Sequence, residues 1–91
     1  MNEVHHEKVW FSGCVQGVGF RYTTLQVARE FEVTGTVANL ADGRVQLEAE
    51  GNPGVVVAFI SAVEERLYGY IRKVERSSGK RPAQFNDFRI Q

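Results

Sequence analysis

The sequence predicts an α+β fold in which two helices cover one face of a mixed, mainly antiparallel sheet. The expected order is β-α-β-β-α-β with a short extra C-terminal strand. Three observations carry this. Apolar residues recur at helical spacing in two stretches, around Leu25, Ala28 and Phe31 and around Val55, Phe59, Ala62, Val63 and Leu67. Val45, Leu47 and Ala49 alternate with Arg44, Gln46, Glu48 and Glu50, the period of a strand with one buried and one wet face. Glycine, asparagine and proline punctuate the boundaries. At 91 residues the chain suits one domain over residues 1–91, with a single sheet layer and a single helix layer, and leaves no room for a second.

In chain order, Met1 to Glu7 is polar and reads as a loose N-terminal tail; His5 and His6 belong to it, since no other ligand is spaced with them for a metal. Lys8 to Cys14, with Val9-Trp10-Phe11, reads as the first strand. A glycine loop follows and leads into a helix over Arg21 to Glu32. Thr34-Gly35 breaks that helix. Thr36 to Leu40, Ala41-Asp42-Gly43 and Arg44 to Glu50 then read as strand, turn and strand, because Asp-Gly is a strong hairpin signal. Asn52 is placed as the N-cap of a second helix with Pro53 at its first position, where the missing N–H costs nothing. Val55-Val56-Val57 favours strand by propensity, but length and caps decide for helix, and Gly69 is placed to end it with positive φ. Ile71 to Ser77 is a fourth strand, Ser78 to Pro82 a polar connection, and Phe85 to Ile90 a short last strand. This order is the ferredoxin-like, or split βαβ, arrangement.

Charge narrows the partners. Eleven basic and eleven acidic residues cancel, which argues against a protein that grips nucleic acid by its phosphates and favours a small, locally charged ligand. No apolar run suits a signal peptide or a membrane span, and the lone Cys14 has no partner for an internal disulfide, so a reducing cytoplasm is expected. Neither histidine shares a motif with Cys14, which therefore reads as a strand residue rather than a nucleophile.

The chemistry concentrates in Gly13-Cys14-Val15-Gln16-Gly17-Val18-Gly19-Phe20-Arg21. Glycines at 13, 17 and 19 permit positive φ, so successive N–H groups from about Gly17 through Val18, Gly19 and Phe20 to Arg21 can converge on one anion. The helix that follows adds unpaired N–H groups and the positive end of its dipole. Arg21 adds a planar fork that matches two phosphate oxygens. A plain glycine turn with a surface arginine is the competing reading. Asn39, approaching the Asp42-Gly43 turn, either caps that turn or, with the first and third strands as neighbours, lies close enough to the loop to share a water with a bound phosphate.

Together, Gly13-x-Val15-Gln16-Gly17-Val18-Gly19-Phe20-Arg21 and Gly35-x-Val37-x-Asn39-x-x-x-Gly43-x-Val45, ending at Gly51, resemble the acylphosphatase family. The resemblance spans nearly the whole chain. It implies a small cytoplasmic hydrolase, expected as a monomer, that splits acyl phosphates into a carboxylate and inorganic phosphate without metal or cofactor and without nucleic-acid or membrane partners. By motif position it implies that Arg21 binds the phosphoryl group, that Asn39 orients the attacking water, and that the backbone of 16–20 forms the cradle. Phe11 and Thr36 depart from the pattern, where a branched aliphatic and an aromatic are usual; a volume exchange between them is conceivable. Two other classes compete. One is a phospho-metabolite-binding domain without turnover. The other is an RNA-binding ferredoxin-like module, which would need Phe20 and Tyr22 on a central strand.

Overall fold

A computed structural model describes residues 3–91. Strand β1 (Glu3–Gly13) leads into helix α1 (Phe20–Ala28), and strands β2 (Thr34–Asn39) and β3 (Val45–Gly51) form the hairpin around Asp42-Gly43. Helix α2 (Pro53–Arg66), a single 3₁₀ turn over Tyr68–Tyr70, strand β4 (Ile71–Pro82) and strand β5 (Phe88–Ile90) complete it. The five strands lie in the order β4-β1-β3-β2-β5. Only β2 and β5 run parallel; the other neighbours are antiparallel. The expected α+β, ferredoxin-like architecture with a short extra strand is what forms.

Strand register explains the core. Val9 lies opposite Leu47, Phe11 opposite Val45, and Val37 opposite Leu47 on the other side, so one face of the sheet is continuously apolar. Val56, Phe59, Ile60 and Val63 of α2 and Phe20, Val27 and Ala28 of α1 cover that face and are buried with it. The α2 stripe is turned slightly from the expected one: Val56 and Ile60 are inside, whereas Val55 and Ala62 are only partly buried. Asn52 caps α2, its Oδ1 accepting the Gly54 N–H at 3.0 Å, and Pro53 opens it. Those caps let three consecutive valines stay helical, since the burial of Val56 is worth roughly 1.5–3 kcal/mol and outweighs a few tenths in propensity per residue. Phe59 meets Phe31 and Phe88 with ring centroids 5.9 and 5.5 Å apart. Truncation there, Phe59→Ala, removes the contact that holds α2, the turn after α1 and β5 together, at a cost of ~3–5 kcal/mol.

Several boundaries differ from the sequence reading. The tail expected over Met1 to Glu7 is strand from Glu3 onward, and the connection expected over Ser78 to Pro82 is strand too; Met1 and Asn2 lie outside the described residues. The two segments make each other regular, since Glu3 pairs with Pro82, His5 with Lys80 and Glu7 with Ser78. Their polar side chains are ordered by ion pairs rather than by apolar burial. Glu7, 5% exposed, accepts from Arg76 Nη2 at 3.0 Å and bonds His5 Nε2 at 2.9 Å. Helix α1 ends at Ala28, not Glu32, where Glu30 N–H and Phe31 N–H bond the carbonyls three residues back at 2.9 and 3.2 Å. Gly69 sits within the 3₁₀ turn and is not among the glycines with positive φ; α2 already ends at Arg66, with the Leu67 N–H closing on Val63. The last strand begins at Phe88 rather than Phe85, because the Phe85 N–H is given to a Glu50 carboxylate oxygen at 3.2 Å.

Candidate active site

The loop between β1 and α1 owes its shape to glycine. Gly17 and Gly19 have φ of 79° and 78°, a region that costs other residues ~1–2 kcal/mol. A side chain added at Gly19 would meet open space, so what excludes one is backbone conformation rather than a clash. Gly19 is also the N-cap of α1, with ψ 20° and no side-chain bond to the helix end, and no acidic residue occupies the first turn. The first helical bond runs from Thr23 N–H to the Gly19 carbonyl at 2.9 Å. The N–H groups of Phe20, Arg21 and Tyr22 precede it and have no intrahelical partner. A bare, positively polarised helix end thus opens beside the loop.

Around this end lies a cavity of about 180 Å³ lined by Val15, Gly17, Gly19, Phe20, Arg21, Tyr22, Asn39 and Ile90. Phe20 is 2% exposed and packs on Phe11 with centroids 5.1 Å apart, so the first residue of α1 is pinned to the sheet just where the cavity begins. The Arg21 guanidinium is held at one corner, its Nη1 donating to the main-chain oxygen of Gln91 at 2.9 Å. Asn39, the exposed last residue of β2, lines the same cavity. The adjoining turn is closed without it, by Gly43 N–H to Leu40 O at 3.1 Å and by Arg44 N–H to Asp42 Oδ1 at 3.1 Å.

Five of the seven residues expected at the site therefore meet: Gly17, Gly19, Phe20, Arg21 and Asn39. Gln16 and Val18 do not line the cavity. The Gln16 carboxamide instead donates to the Leu40 and Arg44 carbonyls at 2.9 and 3.0 Å and so ties the glycine loop to the β2–β3 hairpin that carries Asn39. The Val18 residue is 36% exposed, and its expected part in the cradle is its main-chain N–H alone. Val15, Tyr22 and Ile90 line the cavity without having been expected at the site; Val15 lies within the glycine motif itself. Tyr22, next to Arg21 at the open end of α1, could have been found by extending the helix-terminus argument one residue. Ile90 reaches the cavity only because β5 pairs in parallel with β2, opposite Val37, which no local pattern signals.

A family profile described as acylphosphatase matches residues 7–90. The chain belongs to the acylphosphatase family. It is accordingly an enzyme with acyl phosphate hydrolase activity. It is 41% identical over 80 residues to an acylphosphatase of Paenarthrobacter aurescens, covering 87% of this chain and 85% of the relative. It is 36% identical over 84 residues to one of Ligilactobacillus salivarius, covering 91% and 93%. The crystal structure of acylphosphatase from Bacillus subtilis superposes with a TM-score of 0.75 at 30% identity, covering 96% of this chain and 98% of that one.

The two departures from the family pattern fall on opposite faces of the sheet. Phe11 is on the helix-covered face against Phe20, whereas Thr36 is opposite Glu48 on the other face, so no volume exchange links them. The aromatics of the RNA-module reading are likewise displaced: Phe20 and Tyr22 begin a helix, and Phe20 is buried. No helix among the described residues is long and apolar enough to cross a membrane.

Proposed function

We propose that the enzyme holds the phosphoryl group of an acyl phosphate in the glycine loop, with the N–H groups from Gly17 to Arg21 and the Arg21 guanidinium as donors, and that Asn39 orients the attacking water. One observation supports this above the rest. The loop glycines, the arginine and the asparagine line a single cavity at the uncapped end of a helix. Such donors match charge spread over three equatorial oxygens, and phosphoryl transfer draws most of its catalysis from positioning and electrostatic stabilisation of this kind. The carboxamide of Asn39 both donates and accepts, which suits a group that must hold water by its lone pair and its proton together. A carboxylate leaving group, whose conjugate acid has a pKa of roughly 4, departs without receiving a proton. No general acid is required of this chain, and the substrate's own phosphate oxygen serves as acceptor for the water proton.

Separating the two roles tests the reading. Asn39→Ala should lower kcat by roughly 10-fold to 10²-fold in release of phosphate from an aryl acyl phosphate, while competitive inhibition by inorganic phosphate changes little. Loss of inhibition as complete as the loss of turnover would make Asn39 a binding or structural residue. An unmodified protein that binds phosphate but releases none from any acyl phosphate would instead favour the reading of a metabolite-binding domain.

A further inference from the structure

At the end of β3 farthest from the cavity, Glu50 is 1% exposed, yet it is one of the most completely bonded side chains in the molecule. Its Oε1 accepts the Gln84 N–H at 2.9 Å and the Phe85 N–H at 3.2 Å. Its Oε2 accepts Arg81 Nε at 2.9 Å. Arg81 Nη2 lies 2.8 Å from the same oxygen but off the hydrogen-bond axis, and the guanidinium also lies 5.7 Å from the centre of the Phe85 ring. One carboxylate thus gathers the end of β4 and the segment that leads into β5.

What lies downstream of that clasp is short. The Asp87 carbonyl accepts the Gly35 N–H at 2.9 Å, β5 pairs with β2 through three residues, and the Gln91 N–H bonds the Val37 carbonyl at 2.8 Å. The very next group, the Gln91 carbonyl, receives Arg21 Nη1, and Ile90 lines the cavity. A three-residue edge strand bonded on one side is the kind of element that opens or slides most readily. The Phe88 ring packs on Phe59, and along its own axis the strand is held by its few bonds to β2 and by the Glu50 clasp at its start. That axial position decides where the Gln91 carbonyl stands.

We infer that Glu50 is a positioning residue for Arg21, acting through the 84–91 segment: it anchors the start of β5 so that the Gln91 carbonyl aims the guanidinium into the cavity. This inference depends on the proposed role of Arg21 and extends it to a group at the opposite end of the sheet. The substitution Glu50→Gln keeps the volume and removes the charge that draws both N–H groups and the arginine. In a folded variant it should weaken competitive inhibition by inorganic phosphate roughly tenfold. Amide exchange of Gly35 and Gln91, whose N–H groups bond across β2 and β5, should quicken while that of Val9 and Leu47 in the β1–β3 ladder stays slow. The same substitution made on top of Arg21→Ala should change phosphate inhibition less than twofold, because the residue it positions is gone. If Glu50→Gln does not fold, Arg81→Lys, which keeps the charge and loses the fork, takes its place in the same cycle. Inhibition within twofold of the unmodified protein, or an equal loss with and without Arg21, would overturn the inference. A single Arg21→Ala variant that still bound phosphate normally would overturn the role of Arg21 itself, and the two failures are told apart by that one measurement.

Discussion

The two ends of β1 treat polar groups in opposite ways. Beyond Gly13, the chain leaves donors open: an uncapped helix terminus, an exposed Asn39 and an Arg21 held by a single carbonyl. Near Glu3 the chain pairs its polar groups. Glu7 meets Arg76 and His5, His6 meets Glu48 at 3.0 Å, and Glu50 meets Arg81 and two N–H groups. The first arrangement gives up local stability for a place where an anion is welcome; the second satisfies buried groups that would otherwise cost ~1–3 kcal/mol each. The proposed site therefore lies where hydrogen bonds are withheld, and the far end of the sheet is held where nearly all are made, Arg81 Nη2 excepted.

The largest effect that probes this contrast comes from Arg21. Arg21→Ala should lower kcat/KM by at least ~10²-fold and remove most phosphate affinity, while the melting temperature in phosphate-free buffer barely moves. Arg21→Lys should recover little, since a point charge lacks the bidentate fork. Near-normal turnover in a folded alanine variant, by circular dichroism and phosphate release, would remove Arg21 from the site.

Next in size is the response of the fold to its expected product. Inorganic phosphate at about ten times its Kd should add ~1.4 kcal/mol and raise the melting temperature by several degrees, with chloride at equal ionic strength having no such effect. Gly19→Val should abolish that shift and lower unliganded stability by ~1–2 kcal/mol or somewhat more, because valine resists the φ of 78° that the loop needs. A melting temperature indifferent to phosphate would leave the loop an ordinary turn.

The smallest effect belongs to the paired end and depends on pH. Burial raises the pKa of Glu7, but bonds from His5 and Arg76 outweigh it and hold the carboxyl below its ordinary range. Burial likewise opposes the Gln84 N–H, Arg81 and Phe85 N–H at Glu50, and again the bonds win. A folded pKa below the unfolded one means that the unfolded chain binds protons first as the pH falls. The stabilisation is thus complete above the ordinary glutamate value of about 4.3 and is lost as the pH drops from there through the folded-state values. Urea titrations from pH 7 down to pH 3 should show this loss, and Glu7→Gln should flatten part of it while leaving phosphate inhibition at pH 7 unchanged. An unchanged acid slope in that variant would assign the acid sensitivity to other carboxylates.

Much of the site was legible because its signals are local. Gly17, Gly19 and Arg21 are neighbours in the chain, and glycine spacing before a helix speaks directly about φ and free N–H groups. That Asn39 would come near the loop was readable from topology, since a hairpin beside the first strand has few places to go. The tail reading of Glu3 to Glu7 failed for the converse reason. A polar strand has no apolar alternation to betray it, and His5, His6 and Glu7 become ordered only when residues 76 to 82 arrive. The same blindness turned Ser78 to Pro82 into a loop, whereas Gly69 was misread because α2 stops at Arg66 and a 3₁₀ turn follows.

The sequence by itself determined the elements whose causes lie within a few residues: the glycine loop, the Asp42-Gly43 hairpin, the Asn52-Pro53 start of α2 and the apolar faces that pack them. The tertiary structure alone decided how those parts were aimed. Arg21 takes its direction from a carbonyl 70 residues away, and Glu50 holds N–H groups 34 and 35 residues away. A hydrogen bond is indifferent to sequence separation once the sheet has brought its partners together. The Glu50 side chain and the Gln91 main chain therefore show no trace of these bonds until the strands are paired.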